Sequence, residues 1–178
     1  HPVLPSVEEI EAVLARFRGC ITQRPPVYSA IKVAGKRAAD LVRQGRAVEI
    51  PMRTVTIHRL ELLHIDAERR RIRIDVDCSK GTYIRSLCAD IGAALHLPAT
   101  MRFLLRSRVG AFTLADAYTP EELAEAGETA VCAADRALSL PCYELAQQRV
   151  KAFYSGLSTT ERSPLAAGLY RVYAAGAF

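Results

Sequence analysis

No stretch of this sequence approaches the roughly 20 consecutive apolar residues that a membrane-spanning helix requires. The longest apolar run, Ala89 to Leu97, is interrupted by Asp90 and His96. A helical integral membrane protein is therefore excluded, and no signal-peptide pattern is seen. Paired cysteines are also missing. The five cysteines, Cys20, Cys78, Cys88, Cys132 and Cys142, are odd in number and scattered, with no Cys-x-x-Cys. That argues against a disulfide framework and for reduced thiols in a cytoplasmic protein. The four histidines, His1, His58, His64 and His96, have neither metal-ligand spacing nor an obvious Asp or Ser partner, so no metal is expected. Charge of one sign is only mildly in excess: 24 Lys plus Arg against 19 Asp plus Glu give a net charge of +5. Such a balance permits an RNA or DNA partner without demanding one.

What is present is enough for one full core and a small appendage: 178 residues, half of them hydrophobic. Ser6-Val7-Glu8-Glu9 is a capping-box start, and Val7, Ile10, Val13, Leu14 and Phe17 follow at helical spacing up to Gly19. Gln23-Arg24-Pro25-Pro26 cannot be helix interior. It leads into an extended run, Val27 to Val33, a turn at Ala34-Gly35, and a short helix from Arg37 to Gln44 that stops at Gly45. Pro51 opens a long strand in which Val55, Ile57, Leu60, Leu62 and Ile65 nearly alternate with polar residues. After a turn at Asp66 to Arg69, Arg71 to Cys78 returns antiparallel, and a helix from about Thr82 to Leu95 packs behind. Arg106 to Phe112 reads as another strand, and Thr119-Pro120-Glu121-Glu122 caps a short helix. The pattern changes after Leu140-Pro141, with a helix from about Leu145 to Ser155, a polar stretch Ser158 to Ser163, and a final strand Leu169 to Tyr173. This predicts a boundary near residue 138. The final strand lacks a visible partner, and the chain opens at His1, so the sequence reads as a piece of a longer protein.

Three constellations carry chemistry. The first is the seam Cys78-Ser79-Lys80-Gly81-Thr82-Tyr83-Ile84-Arg85, which sets glycine, hydroxyl, aromatic and cation between a strand and a helix. Arg85, one turn into the helix, opposes the helix dipole unless an anion compensates it. It could hold a carboxylate, and Tyr83 could stack on a planar ligand. A structural salt bridge with a tyrosine filling the core is the plainer alternative. The second is the basic stretch with Lys32, Lys36, Arg37, Arg43, Arg46 and Arg53 among Tyr28, Ser29 and Gln44. It could follow a phosphate backbone, although a solvated cationic surface has the same composition. Pro25-Pro26 at its base favours a stiffened, exposed loop. The third is Arg102-Phe103-Leu104-Leu105-Arg106-Ser107-Arg108, where the leucines are by default core and the arginines surface. Asp75, Asp77 and Asp90 are the carboxylates nearest the seam, with Asp75 and Asp77 placed to pair with the Arg69 to Arg73 cluster.

Together these segments resemble the TruB family of tRNA pseudouridine synthases, which isomerise the T-loop uridine at tRNA position 55. The matching pieces are Phe17-Arg18-Gly19, Gln23 through Arg37, Cys78 through Arg85, Asp90-Ile91-Gly92 and Leu104 through Phe112, in family order and spacing over roughly residues 6 to 125. The resemblance implies an α+β pseudouridine-synthase fold around a mixed, mainly antiparallel sheet. It implies a thumb-like loop at about 25–53 that grips the tRNA T stem-loop through Tyr28, Lys32, Lys36, Arg37 and Arg43. It implies that Arg85 pairs with the nucleophilic aspartate, and that Tyr83, Leu104 and Lys80 lie at the uracil pocket. Base flipping fits, because the enzyme must reach the glycosidic carbon and C5 of a stacked base. No metal or organic cofactor is implied, and a cytoplasmic monomer is expected.

The sequence departs from the family pattern in two respects. The family's aspartate lies in a Gly-x-x-Asp-Pro-x-Ala-x-Gly motif placed N-terminal to these segments, and no Asp-Pro occurs in the chain. Ala39 also stands where the thumb helix usually has an aromatic. The expectation is accordingly an incomplete synthase fold. Residues 1–138 are read as the C-terminal portion of the catalytic domain, and 139–178 as the start of a small C-terminal RNA-binding module. On this reading the parent protein is the enzyme and the chain by itself is inactive. The alternative is a non-catalytic RNA-binding or RNA-folding module that retains the thumb and pocket rim.

Overall fold

A computed structural model of the chain describes residues 4–33, 35–158 and 165–178. Ala34 of the expected turn and most of the polar stretch after Ser158 lie outside the described residues. The chain divides into two compact units, His1–Leu104 and Leu105–Phe178. Within the second unit, residues on either side of 138 are joined by hydrogen bonds. The Tyr173 hydroxyl donates to the Asp135 carboxylate, and Arg171 Nε donates to the Leu140 carbonyl at 2.9 Å.

In the first unit, helix α1 (Val7–Arg16) starts where the sequence predicts. The Glu9 N–H donates to Ser6 Oγ at 3.2 Å and the Ser6 N–H to the Glu9 carboxylate at 2.8 Å, a reciprocal cap. Its buried face, Ile10, Val13 and Leu14, packs on an antiparallel sheet of order β1-β4-β5, with β1 Gly19–Gln23, β4 Arg53–Asp66 and β5 Arg71–Cys78. Helix α3 (Ile84–Ala94) contributes Leu87 and Ile91 to the same core. The imperfect alternation along β4 is explained by its register. The pairing slips between Ile57 and Arg59 and again between Leu62 and His64. Each slip adds one residue to β4, so the inward parity passes from Val55 and Ile57 to Leu60 and Leu62 and then to Ile65.

Gln23 is paired with Arg53 across β1 and β4. Residues 24–52 therefore leave and re-enter the sheet at one point. Cys78, the last residue of β5, lies opposite Ile57, and the Ser79 N–H donates to the Thr56 carbonyl at 2.8 Å. The seam thus emerges at the same end of the sheet as the excursion. Inside the excursion, β2 (Lys32–Val33) and β3 (Lys36–Arg37) form a minimal hairpin, followed by α2 (Ala38–Arg43). The extended run expected from Val27 shrinks to Lys32–Val33, because Tyr28 to Ala30 bend. Ile31, Ala38 and Ile50 make a small core of their own, against which Val33, Val48 and Tyr83 pack.

The second unit opens with a hairpin rather than the single strand expected over 106–112. β6 (Arg108–Val109) turns at Gly110, whose φ of +59° suits glycine, into β7 (Phe112–Thr113). Helix α4 (Pro120–Ala126) has the predicted Thr119–Glu122 cap. β8 (Cys142–Leu145), α5 (Gln147–Tyr154) and β9 (Arg171–Ala174) follow. β9 pairs in parallel with β8, register Cys142↔Arg171 through Leu145↔Ala174. The final strand, expected to lack a partner, has one within the chain, and Leu145 belongs to that partner strand rather than to a helix.

Candidate functional site

The seam is shaped by its hydroxyls and its glycine. Ser79 Oγ accepts from the Thr56 N–H at 2.9 Å, and Thr82 Oγ1 donates back to the Ser79 carbonyl at 2.8 Å. Gly81 sits at φ +85° with no atom near a prospective Cβ, so conformation and not space calls for glycine there. Tyr83 occupies the cap position of α3 without a side-chain cap of its own. Its backbone N–H, one of the orphan donors of a helix start, is instead met by Gln23 Oε1 at 2.8 Å. Gln23 is 1% exposed and is the buried polar residue of the described core.

Two further bonds run from the first turn of α3 to the base of the basic excursion. Arg85 Nη2 donates to the Tyr28 carbonyl at 2.9 Å, and Ser86 Oγ donates to the Arg24 carbonyl at 2.7 Å. Tyr83, half-buried, lies against Ile31, Ala38 and Ile50. Arg85 is therefore brought to the Tyr28 backbone, while Tyr83 packs on the small core of the same excursion. Lys80 stands exposed on the turn before the helix. Leu104 is 46% exposed and Leu105 61%. The default reading of both as core is thus corrected, and neither belongs to the two apolar clusters of the described residues.

The excursion is cationic and open. Between 24 and 53 it carries Arg24, Lys32, Lys36, Arg37, Arg43, Arg46 and Arg53 against Asp40 and Glu49. Arg43 is paired with Asp40 at 3.1 Å. Lys32 faces Arg37 directly across β2 and β3, and both are exposed. Like charges opposite one another destabilise a strand pair, so this two-residue hairpin carries a repulsive cross-strand pair. Tyr28, 58% exposed, adds an accessible aromatic ring to the same excursion.

The carboxylates near the seam have other duties. Asp75 pairs with Arg59, which also meets Glu61 at 2.7 Å, while Arg69 pairs with Asp66 at 3.2 Å. The expected pairing of Asp75 with the Arg69 to Arg73 cluster is not what the register produces, because it sets Asp75 opposite Glu61 beside Arg59. Burial pushes the Asp90 carboxyl and the Cys88 thiol up, which disfavours Cys88 as a thiolate nucleophile. Among the described residues no group of three or more His, Cys, Asp or Glu could hold a metal, and no helix is long and apolar enough to cross a membrane. The sequence reading misses Gln23, Arg24 and Ser86 as contributors. An amide-bearing residue ending an apolar strand just before Pro-Pro is the available signal for Gln23, whereas the serine has none.

Comparison with known proteins bears directly on this arrangement. Residues 3–84 match the model of the TruB family pseudouridylate synthase N-terminal domain, and residues 85–140 that of the tRNA pseudouridylate synthase B C-terminal domain. The tRNA pseudouridine synthase B of Caldanaerobacter subterraneus subsp. tengcongensis is 44% identical over 79% of this chain and 48% of its own length. That of Heliobacterium modesticaldum is 44% identical over 86% of this chain and 51% of its own. The chain spans about half the length of the curated relatives it matches. Among solved structures, a Cbf5–Nop10–Gar1 complex aligns with a TM-score of 0.67 at 28% identity, covering 88% of this chain and 46% of that one. An H/ACA RNP bound to a substrate RNA containing 2'-deoxyuridine aligns with a TM-score of 0.61 at 25% identity, covering 89% and 45%.

These matches correct the expectation of a chain devoid of the family's N-terminal part, since the N-terminal-domain model lies on residues 3–84. The C-terminal-domain model lies on residues 85–140. The incomplete synthase fold, and the inactivity of the chain by itself that follows from it, fall with that premise.

Proposed function

The chain belongs to the TruB family of pseudouridylate synthases, and from that premise we propose that the protein carrying it converts the T-loop uridine at position 55 of tRNA to pseudouridine. The observation that carries this reading is the junction of the seam with the cationic excursion. Arg85 and Ser86 bond to the carbonyls of Tyr28 and Arg24, so the segment suited to gripping RNA is rooted beside the residues suited to the chemistry.

The reaction breaks the N1–C1' bond of the uridine and forms C5–C1', with loss of the C5 proton and gain of one at N1. A base in a stacked loop must be flipped out for this. Lys32, Lys36, Arg37 and Arg43 would meet backbone phosphates, and Tyr28 would pack on the stem-loop. Tyr83, Leu104 and Lys80 would line the uracil site, and Arg85 would keep the family's nucleophilic aspartate ionised and oriented. In this reading the protein works as a monomer in the cytoplasm, without metal or organic cofactor.

The test is to incubate the whole protein that carries this chain with unmodified tRNA and map pseudouridine by carbodiimide-dependent primer extension. Conversion confined to position 55 is expected. Tight, T-arm-selective binding with no conversion would instead establish the non-catalytic RNA-binding module.

A further inference from the structure

Three hydrogen bonds cross from residues 83, 85 and 86 to residues 23, 24 and 28. They are Tyr83 N–H to Gln23 Oε1 at 2.8 Å, Arg85 Nη2 to the Tyr28 carbonyl at 2.9 Å and Ser86 Oγ to the Arg24 carbonyl at 2.7 Å. On one side they bracket Pro25-Pro26, and on the other they span the first turn of α3. Each joins residues 57 to 62 positions apart, so none is a by-product of local helix or turn geometry.

Two of the buried polar side-chain atoms that have no partner among the described residues lie at the same place. Gln23 Nε2 and Ser29 Oγ, one at each end of the Arg24 to Tyr28 root, are both buried and unmet. An unmet buried donor is costly, so a segment that holds two of them has hydrogen bonds still to gain when it rearranges.

We propose that Gln23 and Ser86 are positioning residues that latch the root of the cationic excursion to the start of α3. Through that latch, RNA engaging the excursion sets the direction of Arg85. This deepens the functional reading above and rests on it. The mechanism is geometric. With the prolines restricting the root and Ser86 holding Arg24, a displacement of the excursion moves the Tyr28 carbonyl and with it the Arg85 guanidinium that it holds. Without Ser86 the root can shift while α3 stays in place, and the two halves lose register.

The test uses the whole protein with Ser86→Ala, Ser86→Thr and Gln23→Met. Two readouts are taken: amide hydrogen exchange, and the kinetics of pseudouridine formation on tRNA. Loss of one such bond is expected to speed exchange at residues 24–33 by about two- to tenfold. Exchange in α1 and in the β1-β4-β5 sheet should stay unchanged. KM for tRNA should rise by a similar factor, and by more than kcat falls. Ser86→Thr, which keeps a hydroxyl, should restore both. Gln23→Met should loosen the same root together with the first turn of α3. The proposal is overturned if exchange at 24–33 does not change in Ser86→Ala, if the change spreads through the sheet, or if Ser86→Thr fails to restore it. Should the unsubstituted protein form no pseudouridine, the functional reading fails while the exchange data still decide the latch.

Discussion

Around the β1-β4-β5 sheet, Ile10, Leu14, Ile57, Leu60 and Leu87 are at most 1% exposed and interlock one helix, one long strand and a second helix. The excursion that leaves the sheet at Gln23 and returns at Arg53 closes only over Ile31, Ala38 and Ile50, and wears its cations on the outside. Both belong to the same unit, yet one is a platform and the other an attachment with a core of a few side chains. The contrast separates two tasks. Rigid elements hold the seam, whereas the excursion, proposed above to meet RNA, has little buried apolar surface and is cheap to rearrange.

The strongest way to probe this contrast is to cut the same amount from each core. Leu60→Ala should lower global stability by about 2–5 kcal/mol, read by urea unfolding. Ile50→Ala, at a site also nearly buried, should leave global unfolding within about 1 kcal/mol, because the excursion opens by itself. Its effect should appear as faster hydrogen exchange at 30–50. If both substitutions move the global transition equally, the excursion is part of the platform and the distinction fails.

A smaller effect sharpens the same comparison from the ligand's side. Replacing Lys32, Lys36 and Arg37 with alanine should flatten the dependence of log K for RNA on log salt by about 0.7–0.9 for each phosphate that is no longer neutralised. Thermal stability should hold or rise, since Lys32 no longer faces Arg37. An unchanged salt slope would show that these cations form only a solvated surface.

The platform is largely legible in the sequence. The Ser6–Glu9 cap, the helical spacing of Ile10, Val13 and Leu14, and the turn before Arg71 all encode local preferences that the core reinforces. Even the broken alternation in β4 carries the two bulges, as a step of three between Ile57 and Leu60 and another between Leu62 and Ile65. The second unit is less legible because its strands are short. Four residues after Pro141 give no period to read, and the parallel partnership of β8 with β9 is a long-range fact. At the seam the residue types are readable, but their destinations are not. That Arg85 meets the Tyr28 carbonyl and Ser86 the Arg24 carbonyl depends on where the register Gln23↔Arg53 returns the excursion, and nothing within the Cys78 to Arg85 window specifies it.

The central claim is that the seam serves the chemistry while the excursion serves the grip, and Arg85 stands where they meet. The direct measurement is single-turnover pseudouridine formation by Arg85→Ala in the whole protein, set beside its tRNA affinity from the same preparation. The account predicts a rate loss of about a hundredfold or more, with affinity falling by no more than about tenfold once the hydrogen bond to the Tyr28 carbonyl is removed. A large loss of affinity with the rate of bound tRNA intact would contradict it.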